Sequence, residues 1–136
     1  MKRYFWLAKP LLAALVAACS SDSGPRVQIL EPAPGAVVEG PVVRVRLSAS
    51  GITIAPAAEQ RPGTAHHHLF LDTDATAPGA AIPQGFPGIV HLGAGQSEFV
   101  FDSLPPGEHR LIALLADPAH LVHSTPVADT VRFTVR

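Results

Sequence analysis

The chain has 136 residues, 47% of them hydrophobic and 15% charged, and its formal net charge is −1 at pH 7. This length is enough for one domain and too short for several. The near-neutral charge disfavours nucleic-acid binding, which requires a basic face, and a single cysteine excludes a disulfide within the chain, so the core alone must hold the fold.

Residues 1–18 have the composition of a secretory signal peptide. Lys2, Arg3 and Lys9 give a basic start, and residues 11–18 form an apolar run that is too short to span a bilayer as a helix. Without residues 1–18 the chain keeps seven basic and eleven acidic side chains, a net charge of −4, so the exported part is predicted to be mildly acidic.

The signal runs into Cys19, the only cysteine, in the sequence Val-Ala-Ala-Cys. This segment resembles a bacterial lipobox, and the resemblance implies that Cys19 is lipidated and becomes the mature N-terminus. The alternative is an ordinary cleaved signal beside a stray cysteine. Ser20 stands where an aspartate usually means retention in the inner membrane. In a Gram-negative organism the resemblance therefore implies an outer-membrane anchor facing the periplasm, with residues 19–25 as a flexible tether.

Residues 26–136 are predicted to form a single domain of short strands. Apolar and polar residues alternate in several segments, turns rich in proline and glycine separate them, and no helical pattern follows Cys19. Seven or eight such strands predict an all-β sandwich of immunoglobulin or fibronectin type. The predicted strands are residues 27–30, 42–48, 52–54, 64–72, 89–92, 98–102, 109–116 and 130–135. Between them, residues 73–88 form a connection of unusual length, which indicates a functional or a mobile loop.

Three consecutive histidines begin the most informative strand. Alternation places His66 and His68 on one face, whereas His67 points inward with the apolar residues that follow. Cα atoms two residues apart on a strand are separated by about 7 Å, and two imidazoles so placed can converge on one metal ion at about 2.0–2.1 Å.

Three other histidines extend this hypothesis to an assembled metal site. His91 precedes two glycines that permit a tight chain reversal, and His120 and His123 lie in the loop of residues 117–128. Neutral imidazoles without thiolate or thioether partners suit Zn(II) or Cu(II). Carboxylates can fix imidazole tautomers from outside the ligand shell. The predicted ligands are His66, His68, His91, His120 and His123, and the predicted outer partners are Asp72 and Asp117.

The seventh histidine, His109, is interpreted differently. It follows a Pro-Gly corner at the position where sandwich domains often carry a tyrosine that bonds back to the corner. We therefore interpret His109 as a structural corner residue and His67 as a hydrogen-bonded core residue.

The order of these motifs along the chain resembles that in a family of small bacterial exported proteins, the domain of unknown function 4399 family. The resemblance covers about residues 62–136 and implies that the histidines, including His109, belong to the family pattern; it implies no activity. The motifs that carry it are His66-His67-His68-Leu69, His91-x-Gly93-x-Gly95-Gln96, Leu104-Pro105-Pro106-Gly107-x-His109 and His120-x-x-His123.

The sequence is compatible with three functions. The first is a lipid-anchored periplasmic protein that binds Zn(II) or Cu(II), with occupancy falling as the pH drops through about 6.5 because the metal requires neutral imidazole. The second is an immunoglobulin-like module that contacts another envelope component without metal. The third, an enzyme, requires a metal with an open coordination position.

Overall fold

The computed structural model describes residues 24–136, so the predicted signal, the lipobox and most of the tether lie outside the described residues. Residues 24–136 contain nine strands and no helix, and none of their segments could cross a membrane as a helix. The strands are β1 (Arg26–Glu31), β2 (Val37–Val38), β3 (Val43–Ser50), β4 (Thr53–Ile54), β5 (Thr64–Leu71), β6 (Ile89–Leu92), β7 (Glu98–Phe101), β8 (Gly107–Ala116) and β9 (Ala128–Val135).

The strands form two sheets, as the sequence predicted for an all-β sandwich. The smaller sheet has the order β1-β3-β7, and the larger has the order β2-β9-β8-β5-β4, with β6 also paired to β5. The antiparallel series β5-β8-β9 and the parallel pairing of β2 with β9 correspond to the arrangement of an immunoglobulin-like domain. The two-residue strand β2 was not predicted, because two residues are too few to show alternation.

The main core lies between the two sheets. On β3, Val43, Val45 and Leu47 are buried and the intervening arginines are exposed, which confirms the predicted alternation. The facing side chains of the larger sheet come from alternate positions of β5 and β8, including Leu69 and Leu111. This core stabilises the contact between the two sheets, and the outer face of the larger sheet takes no part in it.

A second, smaller apolar cluster lies on the outer face of the larger sheet. Phe70 of β5 and Leu114 of β8 pack there against Ile82 and Val122, which come from the two long loops. The loops are joined to one another, since Ala81 and Leu121 form a β-bridge. Hydrogen bonds therefore join residues 79–82 of the first loop to the second loop over the outer face of the sheet.

Candidate metal centre

The first two histidines lie on the outer face of β5, as their spacing predicted. His66 and His68 are 1% and 0% exposed, and their cross-strand neighbours on β8 are Ala116 and Leu114. A small alanine opposite His66 leaves space for the imidazole. His67 points the other way, into the main core, where its Nδ1–H donates to the carbonyl oxygen of Gln96 at 3.2 Å.

The third histidine is a cross-strand neighbour of the second. His91 on β6 is paired in register with His68 on β5, and the two rings are stacked with centroids 4.9 Å apart. Gly93 lies two residues later, in the turn that follows β6. A Cβ atom added to Gly93 would come within 2.3 Å of the His91 ring, so the glycine provides the space in which that ring lies.

The fourth histidine comes from the loop after β8. His120 has a φ of 64°, a left-handed conformation that few residues other than glycine adopt and that is concentrated at functional sites. Asp117 braces this turn twice, because its carbonyl accepts from His120 N at 2.9 Å and its Oδ1 accepts from Leu121 N at 2.9 Å. The carbonyl of His120 in turn accepts from Ile82 N at 2.9 Å, so the second loop also fixes it.

These four side chains converge through their Nε2 atoms. The Nε2 atoms of His66 and His68 are 2.9 Å apart, and those of His91 and His120 are 3.1 Å apart. One ligand nitrogen from each ring lies within 4.8 Å of all the others. The two rings on β5 are buried, His120 is partly buried and His91 is exposed, so the group has a buried floor and an accessible rim.

The surroundings keep the floor histidines neutral. Burial, followed by repulsion from His120 and His91, lowers the pKa of His66 to about 4, although the nearby Asp117 opposes the shift. Burial, followed by repulsion from the other three rings, lowers the pKa of His68 to about 3. The pKa of His91 is lowered in the same way. Neutral imidazoles with unprotonated lone pairs are what a metal ion requires.

Two buried ring nitrogens of the cluster have no hydrogen-bond partner in the described part of the chain. These are Nδ1 of His66 and Nδ1 of His68. An unsatisfied buried polar atom costs about 1–3 kcal/mol, so the cluster is not an arrangement that maximises stability. Buried polar atoms without partners are uncommon and are often found where a site has a function.

The other predicted site residues lie elsewhere. His123 is exposed and lines a surface cavity of about 450 Å³ with Ile52 and Val127, so the structure does not bring it into the cluster. Asp72 accepts hydrogen bonds from His109 and from the backbone of Arg110 rather than from a ligand imidazole. The prediction for Asp72 is therefore corrected, because the chain turns at the end of β5 and carries this carboxylate away from the cluster.

Asp117 has a different role from the one predicted. It lies close enough to His66 to influence its pKa, but its side chain bonds the backbone of the loop. Asp117 thus positions His120 instead of fixing the tautomer of a ligand ring.

The contacts of His109 confirm that it is a structural corner residue. Its Nε2–H donates to the carbonyl of Pro105 at 2.9 Å, its Nδ1–H donates to Asp72 at 2.7 Å, and its ring stacks on Phe133. Burial alone would lower the pKa of His109, but the bonds to Pro105 and Asp72 outweigh it and the pKa is raised. The bond back to Pro105 is the one that a corner tyrosine makes in related sandwich folds.

Comparison with known proteins places the chain in a family. The family described as Domain of unknown function (DUF4399) matches residues 45–136. The chain belongs to this family. The matched segment contains all four convergent histidines and begins earlier than the sequence motifs suggested. Comparison with curated proteins finds no match.

Among solved structures, the fold is similar to that of an engineered protein determined by the Northeast Structural Genomics Consortium. The TM-score is 0.50, the sequence identity is 14%, and the match covers 82% of this chain and 20% of that one. The chain thus spans about a fifth of that protein's length. At this identity the likeness concerns the β fold alone.

The sequence predicted that Gly93 permits a chain reversal, but not that it gives space to the His91 ring. It predicted a functional or mobile loop at residues 73–88, but not that this loop fixes His120. The available signal was the position of Gly93 two residues after His91, in the turn that directly follows β6. The contact of Ile82 with the carbonyl of His120 had no such signal, since it joins segments nearly forty residues apart.

Proposed function

We propose that this member of the DUF4399 family is a lipid-anchored periplasmic β-sandwich that binds one divalent transition-metal ion, Zn(II) or Cu(II). The ligands are His66, His68, His91 and His120, and the protein serves metal storage, delivery or sensing. The observation that carries the proposal is the convergence of four imidazole nitrogens, from β5, β6 and one loop, within 4.8 Å of one another.

Metal binding accounts for the cluster better than a hydrogen-bond network does. At His109 both ring nitrogens have oxygen acceptors, whereas within residues 24–136 the core residue His67 has a partner at Nδ1 only. In the cluster, the Nε2 atoms of the two buried rings face one another across 2.9 Å instead of facing oxygen acceptors. A cation at the centre would engage the four lone pairs, and lone pairs of neutral rings are available there because the pKa values of His66 and His68 are low.

Four protein nitrogens favour binding over catalysis. A catalytic zinc site has three protein ligands and keeps a fourth position for water, whereas a site with four protein ligands is closed. Hydrolytic chemistry at this centre would require one ring to leave, so we place the enzyme hypothesis below the binding hypothesis.

The cellular location rests on the lipobox-like segment. Lipidation of Cys19 would hold the domain at the membrane through a short tether that leads directly into β1. A Cys19→Ser variant is expected to leave the membrane fraction and to appear with the soluble periplasmic proteins. Unchanged membrane association of this variant would remove the anchor from the proposal.

Calorimetric titration of the purified metal-free protein at about pH 7.5 tests the metal site. Zn(II) or Cu(II) is expected to bind with one-to-one stoichiometry and a Kd tighter than about 10 μM, equivalent to about 7 kcal/mol of binding free energy. His66→Ala should abolish this binding, and His123→Ala, a histidine outside the cluster, should not change it. Weaker binding by the wild type, or equal loss in both variants, would overturn the proposal.

A further inference from the structure

The six distances between the four rings contain information on the coordination geometry. Five pairs of ring centroids are 4.7–4.9 Å apart. The sixth pair, His68 and His120, is 5.7 Å apart. Four ligands at the corners of a regular tetrahedron have six equal separations. Four ligands in a square have four short sides and two long diagonals, and the two diagonals share no ligand.

The cluster does not satisfy the requirement for a square. If His68 and His120 were one diagonal, His66 and His91 would be the other, but their centroids are 4.9 Å apart, the length of a side. One pair is elongated and its opposite pair is not. The arrangement is therefore a tetrahedron with one stretched edge.

The fold explains this geometry. Three of the rings belong to adjacent strands of one sheet, since His66 and His68 share a face of β5 and His91 is the cross-strand neighbour of His68. The fourth ring belongs to no strand and comes from the loop that packs on the outer face of that sheet. A triangular base with a fourth ligand from a separate layer produces a tetrahedron, whereas a square plane would require all four ligands in one layer.

Two of the six nitrogen separations lie close to the value for a tetrahedral ion, and all six are within 4.8 Å. A metal–nitrogen distance of about 2.0–2.1 Å places tetrahedral ligand atoms about 3.3–3.4 Å apart. The Nε2 pairs at 2.9 and 3.1 Å lie a few tenths of an ångström below this value. The exposed His91 and the loop residue His120 can supply this movement without disturbing the buried strand.

We infer that the centre is a closed tetrahedral four-histidine site built for Zn(II) rather than for the square-planar or tetragonal geometry of Cu(II); this inference rests on the proposed metal-binding function. Zn(II) has no geometric preference from its d electrons and takes tetrahedral nitrogen ligands readily, whereas Cu(II) prefers tetragonal coordination. The fixed ligand geometry would then provide selectivity that affinity alone does not provide.

Cobalt substitution tests the geometry separately from the binding. The purified metal-free protein is loaded with Co(II), and the visible spectrum is recorded before and after addition of Zn(II). The expected result is the intense d–d absorption of tetrahedral Co(II), which Zn(II) then removes. The weak absorption of six-coordinate Co(II), with binding still dependent on His66, would overturn the tetrahedral inference and leave the proposed function intact. Absence of binding by Co(II), Zn(II) and Cu(II) would overturn both.

A variant of the apical ligand provides the second test. His120→Ala leaves the three sheet histidines, which no longer impose a tetrahedron, so the affinity for Cu(II) relative to Zn(II) should rise by about tenfold or more. The Co(II) spectrum should also shift, because water would replace one imidazole in the fourth position. His123→Ala, three residues along the same loop, is the matched control and should change neither quantity. An unchanged Cu(II)-to-Zn(II) ratio in His120→Ala would contradict the inference.

Discussion

The four-histidine cluster and the His109 corner show how the same side chain is used in opposite ways. At the corner, both ring nitrogens have oxygen acceptors, Pro105 and Asp72, so the bonds favour the doubly protonated ring and its pKa is raised. In the cluster, the rings face one another, two outer nitrogens have no partner, and the pKa values of His66 and His68 are lowered to about 4 and about 3. The two cases differ in partners and in depth, because burial is the largest cause of the low pKa values in the cluster, whereas at the corner the bonds to Pro105 and Asp72 outweigh it.

The difference indicates which region serves stability and which serves function. A fully satisfied histidine stabilises the corner between β7 and β8 in the folded protein. A partly satisfied group of histidines makes the apo protein less stable than an apolar surface would, and its retention in a small domain is consistent with a role in binding. Four experiments test this division of roles, and the largest effect is expected from acid.

The free energy of unfolding of the metal-free protein should fall as the pH drops below about 6.5. The pKa values of His66 and His68 are lower in the folded state than in the unfolded chain, so protons bind the unfolded chain first. The loss begins near pH 6.5 and is complete only below about pH 4 and about pH 3, respectively. At about 1.4 kcal/mol per pKa unit, the total is several kcal/mol.

Urea denaturation at a series of pH values measures this fall in the free energy of unfolding in acid. In the double variant His66→Leu/His68→Leu most of this pH dependence should disappear, because the titrating groups are absent. A free energy of unfolding that stays constant in the wild type between about pH 6.5 and about pH 4 would contradict the assignment of low pKa values. The same shifts move the expected loss of metal to a lower pH than the value of about 6.5 that free histidine suggests.

Zn(II) should raise the free energy of unfolding of the wild type by less than acid lowers it. At a free Zn(II) concentration about one hundredfold above the Kd, binding contributes about 2.7 kcal/mol, which for a domain of this size raises the Tm by on the order of 10 °C. Differential scanning calorimetry with and without a chelator measures the difference. His109→Ala should keep this increment, and His68→Ala should lose it. A Tm that does not respond to saturating Zn(II) would show that the site is not coupled to folding.

Removal of the corner histidine should destabilise the fold without affecting metal binding. His109→Ala leaves the Pro105 carbonyl and the Asp72 carboxylate without their donor, and a charged hydrogen bond contributes about 1.5–3 kcal/mol. The pKa of His109 is raised in the folded state, so its contribution is fully present below about pH 6.5 and is lost as the pH rises through the raised value. The difference between variant and wild type should therefore shrink in alkaline solution. Weaker Zn(II) binding by His109→Ala would show that the corner and the four-histidine cluster are coupled, against the separation of roles proposed above.

The smallest effect concerns Gly93. Gly93→Ala places a methyl group within 2.3 Å of the His91 ring and displaces that ring from the cluster. The affinity for Zn(II) should fall by about tenfold, which is about 1.4 kcal/mol, while the stability of the metal-free protein should change little because His91 is exposed. In a His91→Ala background the same substitution should have no further effect, as a double-mutant cycle would show. Equal losses in both backgrounds would mean that Gly93 does not act through His91.

The sequence by itself determined the β class, the main strands and the face of each histidine on β5. These features depend on local patterns: alternation with period two, and turns marked by proline and glycine. Alternation was enough to separate His66 and His68 from His67, and the Pro-Gly corner was enough to assign His109. Family membership, too, followed from the order of motifs along the chain.

Which of the remaining histidines join His66 and His68 depends on contacts between distant segments of the chain. His120 and His123 are equally plausible in sequence because a loop constrains spacing weakly. The turn braced by Asp117 and Ile82 directs His120 to the cluster and leaves His123 at the surface. Asp72 was similarly ambiguous until the register between β5 and β8 placed it beside His109. Contacts between distant segments depend on strand register and loop packing, and neither is encoded in the local pattern of residues.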